Sequence, residues 1–327
     1  ALIKPSNYSY ATSAVIQKLI RSIFPEKYVA VVEGGREANA DLLEKQFDYI
    51  FFTGGTTVGR LVMEAAARHL TPVSLELGGK SPCIVDESAD IDLAARRIVW
   101  GKYLNAGQTC VCPDYVLAHK SIKKQLVERM KYWIFKHYGQ DPLGNDDYPA
   151  IITEKHFDRL CTLIDGKNPA NGKRVCGGEY NRQSRKIAPA ILEDPDPVSP
   201  VMSEEIFGPV MPVLEFSDLE SVHSFVTARP RPLALYFFSS NKKNIRFVVK
   251  HISYGGGCIN DTIVHLVPPR LPFGGVGNSG MGQYHGKASF DTFSHIKSVL
   301  TRGTAIDVPV RYPPYVTKLS LLEKLIK

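Results

Sequence analysis

Between Ala1 and Leu77 the apolar residues keep changing period, and this limits the folds open to the chain. Ala1 to Ile3 reads as a strand end, and Lys4-Pro5-Ser6 turns out of it. Val15, Ile16, Leu19, Ile20 and Ile23 recur at helical spacing within Ser13 to Phe24, and Pro25 stops that helix. Tyr28 to Val32 reads as a second strand, followed by a turn at Glu33-Gly34-Gly35, and Ala40 to Lys45 as a short helix. Asp48 to Phe52 is a third strand, Arg60 to His69 an Ala-rich helix, and Val73 to Leu77 a fourth strand. Short strands alternating with helices predict a parallel sheet joined by crossover helices.

The pattern resumes after Lys80. Cys83 to Val85 reads as a strand, and Asp90 to Tyr103 as a helix whose opening acids suit the helix dipole. Tyr115 to Ala118 is a strand and Ser121 to His137 a long amphipathic helix. Gly166 to Arg185, rich in Gly, Asn and Lys, is expected as a surface loop before an apolar run at Ile187 to Leu192. There is no internal repeat. With 327 residues and 44% apolar content, a sizeable core is expected. The net charge of +7 comes without an aromatic-and-basic stripe, which argues against a nucleic-acid groove and for attraction of a smaller anion. The six cysteines form neither a C-x-x-C pair nor a compact framework, so reduced thiols are expected. No Cys, His and carboxylate spacing suggests a metal. No apolar run reaches membrane-spanning length, and no signal peptide opens the sequence. The absence of an initiator Met and the abrupt opening strand suggest a fragment.

Five short stretches carry chemistry. T-G-G-T-T-V-G, Thr53 to Gly59, links a strand to a helix, so backbone amides at the helix start can face an anion. It is neither G-x-G-x-x-G nor a P-loop, and alone it is an ordinary Gly-rich turn. L-E-L-G-G-K, Leu75 to Lys80, presents Glu76 beside a Gly-Gly turn, and N-A-G-Q-T-C, Asn105 to Cys110, presents a thiol after a small-residue loop. A lone Glu at a strand end is ordinarily a solvated carboxylate, and a lone Cys a small buried apolar residue. A soft nucleophile and a base one supersecondary unit apart are also what covalent catalysis at a carbonyl requires. Cys112 reads as a packing residue. E-E-I-F-G-P, Glu204 to Pro209, is an exposed acidic turn on its plainest reading, and L-P-F-G-G-V-G-N-S-G-M-G, Leu271 to Gly282, has the glycine density of close backbone approach.

Together with R-Y-P-P-Y, Arg311 to Tyr315, these stretches resemble the aldehyde dehydrogenase family, in particular the class 3 branch that handles medium- and long-chain and aromatic aldehydes. The resemblance runs through almost the whole chain. It implies an α/β fold with a Rossmann-like cofactor-binding sheet, an α/β catalytic domain and a small oligomerisation segment, divided near 1–82, 83–285 and 286–327. It implies NAD- or NADP-dependent oxidation of aldehydes to acids. Cys110 would attack the carbonyl to give a thiohemiacetal, hydride loss would leave a thioester, and Glu76 would activate the water that hydrolyses it. Gly54, Gly55 and Gly59 would form the cofactor loop, with Gly55 where Ser or Asn is more usual. Lys4 would lie near the adenosine ribose, Glu205 on the nicotinamide ribose and Phe207 beside the nicotinamide. His285 and His295 would be structural. A cytoplasmic homodimer acting on a small-molecule aldehyde, with no nucleic-acid partner, is implied, with peripheral membrane association left open. Leu319 to Ile326 is apolar at helical spacing but too short to span a bilayer.

The sequence departs from the family at two places. Asn7 stands where Glu is frequent; a carboxylate there would bond the ribose diol and repel a 2′-phosphate, so NAD against NADP stays open. The family also carries chain before the position of Ala1, including an Asn that donates to the oxyanion; without it the Cys110 amide is the remaining donor, and losing one such donor costs roughly 100- to 1,000-fold in rate. A cofactor-independent thiol esterase and a non-catalytic member of the fold are the rival readings. The first would leave the Gly54 to Gly59 loop, Glu205 and Phe207 without purpose, and an intact Cys110 and Glu76 argue against the second.

Overall fold

The structure, a computed structural model, describes residues 1–326. Two units are distinguished, one spanning Ala1–Phe293 and the other beginning at Ser294. Lys327 lies outside the described residues.

In the first unit, β1 (Leu2–Ile3) and β2 (Ala30–Val31) form a parallel pair, with α1 (Tyr10–Ile23) between them in sequence. The helix opens earlier than Ser13 because a short 3-10 turn at Asn7–Ser9 runs straight into it, with the Ser6 side chain accepting from the Tyr8 amide. Its expected apolar stripe is largely uncovered: Val15, Leu19 and Ile23 are exposed. After α2 (Arg36–Leu43), which starts ahead of the expected Ala40, come β3 (Ile50–Thr53), α3 (Thr56–Ala67) and β4 (Val73–Glu76). The start of α3 at Thr56 corrects the expected Arg60 and puts Gly59 inside the helix. A Cβ on Gly59 would lie 2.5 Å from a Leu77 methyl, so this glycine lets helix and strand pack closely.

β5 (Pro82–Val85), α4 (Ile91–Tyr103), β6 (Tyr115–His119) and α5 (Lys123–Tyr138) follow as expected. Asp90 caps α4 by accepting from the Leu93 amide at 3.0 Å. α6 (Glu154–Ile164) was not foreseen, although Thr153 caps it and Phe157, Leu160, Cys161 and Ile164 form a buried stripe. The expected loop over Gly166 to Arg185 is corrected in part. β7 (Lys173–Cys176) and the short β8 (Tyr180–Asn181) lie within it, and β8 pairs antiparallel with β9 (Lys186–Ile187). The apolar run at Ile187 to Leu192 divides between β9 and β10 (Ala190–Glu193). After α7 (Pro200–Ser203) come β11 (Val210–Phe216), α8 (Leu219–Thr227), β12 (Ala234–Phe238), α9 (Lys242–His251), β13 (Gly256–Ile259), β14 (Gly280–Met281) and α10 (Gly286–Thr292).

The seven-stranded sheet runs β13-β12-β5-β6-β11-β10-β7, parallel except for the antiparallel edge strand β7. Its central strands β5, β6, β11 and β12 are almost wholly buried, which is why they are continuous apolar runs. The remaining strands of residues 1–82, with β14, form two sheets, β1-β2 and β14-β4-β3. In the second, the glycine-rich Leu271 to Gly282 stretch returns β14 antiparallel to β4, with Gly280 opposite Glu76. The unit beginning at Ser294 contains 3-10 turns at Pro309–Arg311 and Val316–Lys318 and the helix α11 (Leu319–Ile326). Among the described residues no helix is long and apolar enough to cross a membrane.

The loop leading to Cys110 is wound left-handed at Asn105, Ala106 and Gly107, at φ 52°, 51° and 73°. A Cβ on Gly107 would stand 2.3 Å from the Gly208 carbonyl oxygen, backbone that cannot swing away. Gly107→Ala is therefore expected to lower stability by about 2 kcal/mol or more, through strain at positive φ plus displacement of the Gly208 backbone. Urea unfolding measures it, and a midpoint equal to the parent's would refute the packing described.

Candidate active site

Glu76 ends β4 between two neighbours in register, Thr53 of β3 and Gly280 of β14. The Gly54 amide donates to the Glu76 carbonyl at 3.0 Å, and the Leu77 amide to the Ser279 carbonyl at 3.0 Å. Backbone bonds thus bring the Thr53 to Gly59 loop and the Leu271 to Gly282 stretch to one carboxylate. Glu76 is not the solvated side chain of the plain reading. It is 3% exposed, and neither carboxylate oxygen has a hydrogen-bond partner among the described residues. Burial pushes its carboxyl up to about 7.

Cys110 is half-buried and unpaired, at the end of the left-handed loop. Gln108 holds that loop to the next segment: its amide donates to the Ala150 carbonyl at 3.1 Å, and its oxygen accepts from the Ile152 amide at 2.9 Å. The thiol is pushed up to about 11, first by burial and then by the charges of Glu205 and Glu76; the Cys110 and Val111 amides act the other way. The two motif carboxylates and the thiol therefore share one electrostatic site. Cys112 is buried, its sulfur 3.7 Å from the Lys102 ammonium, in keeping with a packing role.

Glu205 folds against the Gly-Gly turn, where a Cβ on Gly78 would meet its Oε2 at 1.9 Å. Burial and Asp114 push its carboxyl up to about 8, against the Gly79 amide, Lys80 and Lys102. A cleft of about 190 Å³ opens here, lined in part by Thr56, Gly78, Glu205 and Arg231. Phe207, two residues after Glu205, takes a left-handed backbone, φ 51°.

The loop carrying Glu205 is held from two sides, by residues that sequence reasoning missed. Lys80 reaches Asp114 at 2.5 Å and donates to the Val201 and Glu204 carbonyls at 2.9 and 3.0 Å. The other Asp114 oxygen accepts from the Ile206 amide at 3.0 Å. From α6, Arg159 donates to the Glu204 carboxylate at 2.8 Å and to the Ile206 carbonyl, and His156 Nε2 lies 2.7 Å from the Phe207 carbonyl. The only advance signal for Asp114 was its place four residues after Cys110; for His156 and Arg159 it was the unread helical pattern.

Gly54 and Gly55 sit at the start of α3, with Gly55 as its N-cap. The space around the Gly55 Cβ direction is open and its φ is ordinary, so the position accepts the Ser or Asn frequent in the family. Lys4 and Asn7 follow β1, at the carboxyl end of the parallel pair where nucleotides bind in such folds. The Asn7 amide nitrogen faces Gly35, which follows β2, 4.0 Å from its Cβ direction. The residues present fit a dinucleotide: a helix start open to an anion, a cleft at the Gly78-Gly79 turn, and a carboxylate cradled against glycine. Among the described residues no group of three or more His, Cys, Asp or Glu is arranged to hold a metal.

The sequence profile described as "Aldehyde dehydrogenase family" matches residues 1–299. The chain belongs to the aldehyde dehydrogenase family. It is 49% identical over 320 residues to the rat "Aldehyde dehydrogenase, dimeric NADP-preferring", covering 97% of this chain and 70% of that one. It is 47% identical to the rat "Aldehyde dehydrogenase family 3 member A2", covering 96% of this chain and 64% of that one. The fold matches the solved "Substrate bound state of Staphylococcus Aureus AldH" at TM-score 0.95 and 44% identity, over 100% of this chain and 71% of the other. Similarity to family 3 members agrees with the branch implied by the glycine-rich stretch and R-Y-P-P-Y. The aldehyde dehydrogenase reaction, NAD(P)-dependent oxidation of an aldehyde, is the activity of this enzyme.

The lone buried carboxyl has a measurable consequence. An unfolded Glu titrates near 4.5 and the folded one near 7. A raised folded value means that stability is fully present below the unfolded value and is lost as pH rises through the folded one. Glu76→Gln removes this loss. The variant should melt about 2 °C or more above the parent at pH 8, with the gap closing by pH 4.5. A parent that melts higher at pH 8 would mean that Glu76 has a partner.

Proposed function

We propose that Cys110 is the nucleophile and Glu76 the general base of this aldehyde dehydrogenase. The observation that supports this best is Glu76 itself, a buried carboxyl without a partner, poised near neutrality and electrostatically coupled to a half-exposed thiol. At rest the thiol holds its proton, so as the S–C bond forms on the aldehyde carbonyl that proton passes through water to solvent. The Cys110 amide, directed at the sulfur side, is a donor for the oxyanion of the thiohemiacetal. A dinucleotide held there would supply the hydride acceptor, and loss of hydride from the thiohemiacetal carbon would leave Cys110 as a thioester. Glu76, ionised above about pH 7, then removes a proton from water, the C–S bond breaks, and acid and free thiol result.

In this reading the start of α3, at Gly54 and Gly55, carries the dinucleotide diphosphate, with Gly59 as the packing residue behind it. Glu205 bonds the nicotinamide ribose, Phe207 lies beside the nicotinamide, and Lys4 and Asn7 border the adenosine ribose. Residues 1–82 form the cofactor domain, 83–285 the catalytic domain and 286–327 an oligomerisation segment. A medium- or long-chain or aromatic aldehyde is the substrate class, and the working form is a homodimer; the rat relative's name calls that protein dimeric. A cytoplasmic location with peripheral membrane contact is part of the same reading.

Two substitutions in the full natural chain test the chemistry. Cys110→Ala should remove aldehyde oxidation while dinucleotide binding, followed by fluorescence, stays nearly intact; more than a trace of turnover would exclude Cys110 as nucleophile. Glu76→Gln should leave a first-turnover burst of reduced cofactor and then a slow steady state, because deacylation suffers more than hydride transfer. Equal loss in both phases would assign Glu76 to an earlier step, and unimpaired ester hydrolysis without dinucleotide would favour the esterase reading. Asn7→Glu tests the adenosine end. A carboxylate there accepts from both ribose hydroxyls and repels a 2′-phosphate, so the NAD/NADP ratio of kcat/KM should rise roughly 5- to 150-fold. An unchanged ratio would mean that Asn7 does not face the ribose.

A further inference from the structure

The hold of α6 on the loop that carries Glu205 and Phe207 is specific enough to read as a device. His156 and Arg159 stand three residues apart, on one face of the first helical turns. The first turn is fixed by Thr153, whose hydroxyl accepts from the His156 amide at 3.2 Å. Arg159 takes the Glu204 carboxylate and the Ile206 carbonyl, and His156 the Phe207 carbonyl. Gly208 then meets Leu160 of the same helix, with its Cβ direction 2.5 Å from a Leu160 methyl. Phe207 needs this support, because a non-glycine residue at φ 51° sits in a sparsely populated conformation at a cost of order 1–3 kcal/mol.

The hydrogen bonds also fix the tautomer of His156. A carbonyl oxygen only accepts, so Nε2 carries the hydrogen. Nδ1 is then the acceptor, and Arg159 Nη2 stands 3.5 Å from it. A second ring proton would face that guanidinium. Burial and Arg159 accordingly hold the imidazole below its ordinary value, against the Phe207 bond and Glu204. The neutral ring is thus a single-point donor aimed at one backbone oxygen.

We propose that His156 is a positioning residue for the cofactor side of the reaction: its Nε2–H, donated to the Phe207 carbonyl, holds the Glu205–Gly208 backbone so that Glu205 and Phe207 meet the nicotinamide end of the dinucleotide. This rests on the placement of Glu205 and Phe207 given above. Lys80 and Asp114 fix the same loop from the opposite side, at Glu204 and Ile206. Glu205 lies between Glu204 and Ile206, which both anchorages hold, and among the described residues His156 is the one donor to the Phe207 carbonyl.

The test compares His156→Phe, which keeps the ring and removes the donor, with His156→Gln, whose amide can donate to the same oxygen. Both are made in the full natural chain, beside Glu205→Gln. The readouts are dinucleotide KM, kcat, and the isotope effect with an aldehyde deuterated at C1. His156→Phe should raise dinucleotide KM about tenfold or more and increase the isotope effect, as misplaced hydride transfer becomes limiting. His156→Gln should return both to within about threefold of the parent. Equal behaviour of the Phe and Gln variants, whether both normal or both impaired, overturns the proposal, while Glu205→Gln still raising KM would leave the placement of Glu205 standing. If Glu205→Gln leaves KM unchanged, that placement fails and the proposal with it. Melting temperatures of the two His156 variants within about 2 °C of each other separate positioning from a general loss of fold.

Discussion

One ammonium group gathers the chemistry of this chain. Lys80 closes the L-E-L-G-G-K stretch, its partner Asp114 follows the Cys110 loop, and its two other acceptors are the carbonyls of Val201, just before E-E-I-F-G-P, and of Glu204, its first residue. Three stretches distant in sequence are fixed to one another at a point where Lys80 and Asp114 are both almost wholly buried. Such a pair is not in itself a large source of stability, since desolvation offsets most of the attraction. Its effect is geometric: removing either partner leaves an uncompensated buried charge, at a cost of about 3–5 kcal/mol, so these loops have one low-energy arrangement and few alternatives. Burial lowers the Lys80 value while Asp114 opposes the shift, as expected of a charge tolerated for its partner.

Around that fixed point the site keeps three acidic groups in a poorly solvated space. Glu76 near 7, Glu205 near 8 and Cys110 near 11 all titrate above their ordinary values, and each carboxylate charge makes the thiolate harder to form. The arrangement disfavours a standing thiolate. A resting thiol is protected from stray oxidation, because the thiolate is the reactive form. Such groups titrate as a set, so a pH–rate profile would report the set and no single residue. A hydroxyl-bearing ligand beside Glu205 would replace part of its lost solvation, favour its charged form, and so change the proton balance of its neighbours.

Much of this was legible in the sequence, for definite reasons. The alternation of strands and helices before Lys80 and again from Cys83 reported the parallel sheets, because buried parallel strands are continuous apolar runs bounded by glycine and proline. The stretches around Cys110 and Glu76 stood out because their glycines are constrained by close neighbours: Gly107 by the Gly208 carbonyl, Gly78 by the Glu205 side chain. Helix starts were read late at α1, α2 and α3, since their first turns are polar or glycine-bearing and lack an apolar stripe. β7 was hidden because an antiparallel edge strand with Lys173 and Arg174 exposed has only Val175 and Cys176 as apolar signal. Asp114 was invisible for another reason: an ion pair across distant segments exists only after folding.

The places where local rules fail are themselves informative. Asn105 and Ala106 are left-handed without being glycine, and so is Phe207. Each such residue needs surroundings that over-determine it. Around Asn105 these are the crossed amide bonds with Gln108, at 3.0 and 3.1 Å. Around Phe207 they are the α6 donors and the Lys80–Asp114 pair. Gly107 and Gly208 touch between the two strained segments, so the loop before Cys110 and the loop carrying Glu205 cannot relax independently. A fold that stores strain on both sides of one glycine contact couples the thiol proposed as nucleophile to the carboxylate proposed to orient the hydride acceptor, without either side chain touching the other.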